Sequence, residues 1–244
     1  MCANNPVRCI DPDGREVWIQ FGTGFLGFKT QKVKYEDGKL YNKDGSEYQG
    51  KTTKFLDKSV KALNTLRSKD SGKKLVGDLQ SSNKVYTIKS GDKNEYSVGK
   101  NGSRTISWNE SNLQSKIPNA DGTTGRPSFV GLGHELGHAW DHEKNGRVNL
   151  FTTWYQAGNG EEVTQSEKIA TWWENRIRAE HKVSLREGYS FDASTTPYQI
   201  EPQGRILQQG TRNSSVVNIF GSPIPSGPVS VTSPLNIFFI PYQF

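Results

Sequence analysis

The sequence predicts an α+β fold, with two chemistry-bearing helices in the second half of the chain and a small mixed sheet assembled largely from the first half. Three observations carry that expectation. Apolar residues recur at helical spacing through Phe129, Val130, Leu132 and Leu136, and again through Ile169, Ala170, Trp173 and Ile177; each series marks a helix with one apolar face. Short β-prone runs between residues 17 and 108 are broken by Asp-Gly pairs, the signature of hairpins. The first helix also carries His134-Glu135-Leu136-Gly137-His138, which matches H-E-x-x-H.

Composition sets the outer limits. At 244 residues the chain suffices for one sizeable domain with a small appendage. A hydrophobic content of 32% and mean hydropathy of −0.73 imply long surface loops around a modest core. No apolar run approaches the roughly 20 residues that span a bilayer, and Met1 to Pro6 lacks the basic and apolar regions of a signal peptide. Cys2 and Cys9 are too few for a disulfide framework and far from the motif, which argues against thiolate ligation of a metal.

The net charge of +6 is uneven: residues 29–104 hold 18 Lys and Arg against 9 Asp and Glu, the remainder 13 against 16. A basic half of this kind can attract nucleic acid, an acidic protein or a membrane surface. Here it is mostly Lys on short polar segments, without clustered Arg, interleaved aromatics or a nuclease constellation. A solvated face is the expected explanation.

In chain order, Lys32–Tyr35 and Lys39–Tyr41 flank Asp37-Gly38 and predict a hairpin, and Asn42-Lys43-Asp44-Gly45 predicts a second turn. Phe55, Val60, Leu63 and Leu66 predict an amphipathic helix between Thr53 and Lys69, followed by a shorter one over Gly72–Leu79. Val85–Ile88 and Thr105–Trp108 read as strands, and residues 111–127 as a loop. Pro127 and Ser128 start the motif helix, and Asn145-Gly146 ends it. Gly131, Gly133 and Gly137 each weaken that helix by about 1 kcal/mol relative to Ala. Close approach of another element, or of a metal and its substrate, would explain them. The last strong helical pattern runs from Glu161 to Lys182.

The H-E-x-x-H spacing has a geometric meaning. Residues four apart share a helix face, so His134 and His138 can meet one metal ion while Glu135 reaches a water on it. His142 continues the series but lies about 12 Å along the helix from His134, which suits a supporting, substrate-facing or surface role. Lys144, six residues after His138, cannot ligate while protonated. The third ligand is therefore expected from the Glu161–Lys182 helix, which offers Glu167 and, two turns on, Glu174.

Resemblances sharpen this choice. Glu167-Lys168-Ile169-Ala170-Thr171 is similar to the E-x-x-[AS] ligand helix of gluzincin metallopeptidases, which implies Glu167 as ligand and leaves Glu174 as runner-up. Small Ala170 would let two helices approach closely. Where those families carry an Asp that orients a histidine, this chain has Thr171. In zincins an edge strand pairs with the extended substrate; Thr105–Trp108 is the candidate, with an inner strand as the alternative. Arg186-x-x-Tyr189 is similar to a pair in clostridial-neurotoxin-type zincins, which implies donors for an oxyanion. Taken together, the run from His134 to Tyr189 looks like the M91 group of effector zinc metallopeptidases. Residues 4–18, Asn-Asn-Pro through Asp-Pro-Asp-Gly to Trp18, also resemble the end of an Rhs-repeat core, which precedes a variable C-terminal toxin domain in polymorphic toxins.

These resemblances imply three segments: an Rhs-core remnant over 1–15, a zincin-like metallopeptidase domain over 16–190 and an irregular or β extension over 191–244. They imply Zn2+ on His134, His138 and Glu167, with Glu135, Arg186 and Tyr189 as catalytic residues. A protein substrate in a target cell, a cognate immunity protein and a parent Rhs shell follow as expected partners. A basic nucleic-acid-directed toxin and a non-catalytic metal-binding module are the alternatives; an intact Glu135 argues against the second.

Overall fold

A computed structural model describes residues 16–23, 29–113, 117–192, 194 and 199–206. The Asn4–Gly14 stretch, both cysteines and the apolar runs Val216–Phe220 and Asn236–Phe239 lie outside the described residues.

A six-stranded sheet has the order β3-β2-β1-β4-β6-β5. Strand β1 (Glu16–Thr23) pairs antiparallel with β2 (Lys29–Glu36), which pairs with β3 (Lys39–Tyr41). The β2–β3 turn is the expected one, with Asp37 at φ 49° and Gly38 at φ 87°; two residues with positive φ match the right-handed twist of the strands. Strand β4 (Val85–Ser90) runs parallel to β1, and β6 (Arg104–Trp108) parallel to β4. The outer strand β5 (Glu95–Val98) is antiparallel to β6. The stretch Thr105–Trp108 is thus an inner strand, which corrects the edge-strand expectation. The chain forms the outer hairpin arm first and then returns between it and β4.

Alternate residues of the strands, among them Val17, Ile19, Phe21, Val33, Tyr86, Ile88 and Ile106, are buried in the core together with residues from the helices. Helix α1 (Lys54–Arg67) starts where the Thr53 side chain accepts the Leu56 N–H and buries Leu56, Leu63 and Leu66. Helix α2 (Asp70–Gln80) adds Leu75, Val76 and Leu79. Helix α3 (Ser128–Asn145) is buried over most of its length and ends at Gly146, φ 66°. A short helix α4 (Val148–Phe151) leads to the hairpin β7 (Thr153–Gln156) and β8 (Glu162–Thr164), and then to α5 (Gln165–Glu180). Residues 162–164, expected to open the last helix, are instead strand, because Val163 packs with Tyr155 and Ala157 in a small apolar cluster. Strands β9 (Phe191–Asp192) and β10 (Gln199–Ile200) follow. The architecture is α+β, with five helices and a mixed sheet among the described residues.

Helices α3 and α5 pack extensively against each other, and glycine permits it. A Cβ on Gly137 would stand 3.0 Å from Ala170 Cα, and one on Gly133 would stand 2.6 Å from Ile177 Cδ1. The glycines of α3 therefore give up helix propensity for close packing. Trp173, 2% exposed, seals the contact with its ring centroid 5.2 Å from that of Trp140.

Candidate metal centre

The α3–α5 contact brings His134, His138 and Glu167 together. His134 Nε2 lies 3.1 Å and His138 Nε2 lies 3.2 Å from Glu167 Oε2. One ligand atom from each of the three residues can be chosen so that all lie within 4.8 Å of one another. Two atoms each bonded at about 2.0–2.1 Å to one zinc ion lie at most about 4 Å apart, so the 3.1 and 3.2 Å separations fit a shared ion. Glu167 retains 25% side-chain exposure, whereas both histidines are buried. The open side of the cluster is therefore the Glu167 side.

The far side of each imidazole is also engaged. His134 Nδ1 donates to Glu174 Oε2 at 2.9 Å, and His138 Nδ1 lies 2.9 Å from Ser166 Oγ. Partners of this kind fix ring orientation and tautomer in metal sites. Thr171 takes no such part: its hydroxyl donates to the Glu167 carbonyl within α5. Glu174 is 0% exposed and carries three guanidinium partners, Arg126, Arg178 and Arg186. A carboxylate this deep requires such neighbours to remain ionised.

The electrostatics follow from this geometry. Burial alone would depress the His134 imidazole, yet hydrogen bonds to Glu167 and Glu174 outweigh it and hold the ring up to about 9. Burial opposes ionisation of Glu167, but His138 and His134 hold it well below the usual carboxylate range. Glu174 is likewise pulled well down against its burial by Arg178, Arg126 and Arg186. Glu135, 5% exposed, moves the other way: burial raises it, and the two histidines offset that only in part.

Tyr189 donates its phenol toward Glu167, and burial next to that carboxylate raises it well above the ordinary tyrosine value. Arg186 stands behind it. Its Nε donates to the Gly188 carbonyl at 2.9 Å, Nη2 to the Tyr189 carbonyl at 2.8 Å, and Nη1 to Glu174 at 3.1 Å. The phenol, rather than the guanidinium, stands beside the Glu167 carboxylate. His142 lies outside the cluster, with Nδ1 2.6 Å from the Tyr96 hydroxyl on β5.

Sequence reasoning did not find Ser166 or Arg126, and offered Glu174 only as an alternative ligand to Glu167. The Glu174–Arg178 spacing, four apart on one helix, was the available signal for a buried ion pair. Ser166 and Arg126 carry no pattern of their own.

The model of the M91 peptidase family, described as an effector protein, matches residues 42–189. No curated protein and no solved structure matches the chain. The matched stretch runs from the β3 end to Tyr189 and contains every residue of the cluster. Covering well over half the sequence, it establishes that the chain belongs to the M91 peptidase family of effector proteins.

Proposed function

We propose that the chain is a zinc-dependent endopeptidase of the zincin type, which cuts a protein of the cell into which it is delivered. The observation that carries this reading is the convergence of two imidazoles and one carboxylate on a single point. A donor set of two His and one Glu suits zinc with a position left for water or substrate. Bound there, zinc would acidify its water and polarise a peptide carbonyl.

The rest is the work of the chain. Glu135, whose proton affinity is raised by burial, takes the proton of the attacking water and passes it to the leaving amine. The Tyr189 phenol donates to the carbonyl oxygen as negative charge develops, and Arg186 fixes the Tyr189 backbone. Glu174 keeps the proton on His134 Nδ1, leaving Nε2 as the ligand atom. Strand β5, the outer strand on this side of the sheet, offers an edge for an extended peptide. Asn94, just before it, lies against Gly131 of α3.

The effector family supports delivery into a target cell, and no described helix is long and apolar enough to cross a membrane. The Rhs-like start supports a parent Rhs shell as the delivery vehicle and a cognate immunity protein as the producer's safeguard. Incubating target-cell lysate with wild type or Glu135→Gln protein, and mapping new protein N-termini, tests the reading. New termini formed by the wild type alone support it; identical profiles contradict it.

A further inference from the structure

A pocket of about 1000 Å³ adjoins the candidate metal centre on the Tyr189 side. Its walls come from the β7–β8 turn, the segment after Arg186 and the stretch around β10. Tyr189 joins the two sites, since it lines the pocket and its phenol hydrogen-bonds with Glu167. The Tyr189 end of the pocket therefore lies beside the candidate metal centre.

The lining is apolar in places and acidic in others. Val163, Ile200 and the Tyr189 ring supply apolar surface, while Glu161, Asp192 and Glu201 supply carboxylates. Of the two arginines in the lining, Arg205 pairs with Glu187, while Arg186 shares the single carboxylate of Glu174 with Arg126 and Arg178. Among the described residues, Glu161 and Glu201 form no ion pair with Lys or Arg. Glu201 is held rigidly, accepting the Gly158 N–H at 2.8 Å and the Ser190 hydroxyl, which also meets the Tyr155 hydroxyl. The carboxylates of Glu161 and Glu201 outnumber the one partly compensated guanidinium, so the pocket has an excess of negative charge beside surface suited to a methylene stem.

We propose that this pocket receives a lysine or arginine side chain of the peptide being cut, next to the scissile bond. These side chains combine an apolar stem with a cationic head, and the pocket offers both matching features in a preformed cavity. The proposal rests on the peptidase reading and names the substrate class of that site.

The test uses two pools of twelve-residue peptides, degenerate except for one central lysine in the first and acetyl-lysine in the second. Hydrolysis is measured with wild type, Glu161→Gln and Glu161→Lys, all checked for folding by thermal melting. Binding of both pools to Glu135→Gln is measured separately. The wild type is expected to favour the lysine pool about tenfold in kcat/KM, roughly the worth of one charge-assisted contact. Cleavage should fall next to the lysine, and Glu161→Lys should abolish the preference. Hydrolysis of both pools at equal rates, or a preference that survives Glu161→Lys, overturns the pocket assignment and leaves the peptidase reading intact. Selective binding of the lysine pool without cleavage by the wild type overturns the peptidase reading and supports the pocket.

Discussion

Glu167 and Glu174 grip opposite edges of one imidazole: Glu167 Oε2 lies 3.1 Å from His134 Nε2, and Glu174 Oε2 lies 2.9 Å from Nδ1. Both carboxylates come from α5, two turns apart, and their surroundings separate them. Glu167 is partly exposed, whereas Glu174 is sealed among three arginines.

The buried member is expected to dominate stability. Glu174→Gln removes the one negative charge shared by Arg126, Arg178 and Arg186. Breaking a buried charge cluster in this way costs about 3–5 kcal/mol, so thermal or urea unfolding should show a large loss. Glu167→Gln should leave the metal-free protein folded with a much smaller change.

Glu135→Gln separates chemistry from binding. Loss of a general base lowers kcat by about 10²–10⁴-fold, while His134, His138 and Glu167 remain to hold the metal. Steady-state peptide hydrolysis beside metal analysis should show activity lost and metal retained.

Tyr189→Phe removes only the phenolic oxygen, and the ring stays packed near Trp154, with centroids 6.4 Å apart. Losing one donor to a developing oxyanion costs about 10²–10³-fold in kcat. KM should change little. A larger effect on KM than on kcat would assign Tyr189 to substrate binding.

Without metal, His134 is held above its ordinary value of 6.5, at about 9. A group whose pKa rises on folding contributes stability fully below its unfolded pKa and loses it as pH rises through the folded one. The metal-free protein should therefore weaken between pH 6.5 and about 9, as followed by denaturant melts. Metal binding must displace the Nε2 proton, so metal affinity should climb across the same window. A protein loaded with metal should lack the alkaline loss of stability.

Much of this arrangement was legible in the residues. The spacing of His134 and His138 placed both on one helix face, and Asp37-Gly38 and Asn145-Gly146 marked a turn and a helix end that the structure contains. Local patterns of this type depend on neighbouring residues alone. The strand order does not: β6 became an inner strand because β5, formed earlier in the chain, took the outer position. The boundary of α5 also moved, since Val163 gains more from packing on Tyr155 than from extending a helix. The Glu174 cluster was hidden for a related reason, because Arg126 reaches it from the loop before α3 and Arg186 from the segment after α5.

Metal content of the purified chain, wild type beside Glu167→Ala and Glu174→Ala, tests the central claim most directly. About one zinc per chain is expected for a site with three protein ligands. It should be lost in Glu167→Ala. In Glu174→Ala it should be retained with affinity lowered about 10–100-fold wherever the protein folds. No zinc in the wild type after reconstitution, or zinc undiminished in Glu167→Ala, would contradict the assignment of His134, His138 and Glu167 as a metal centre.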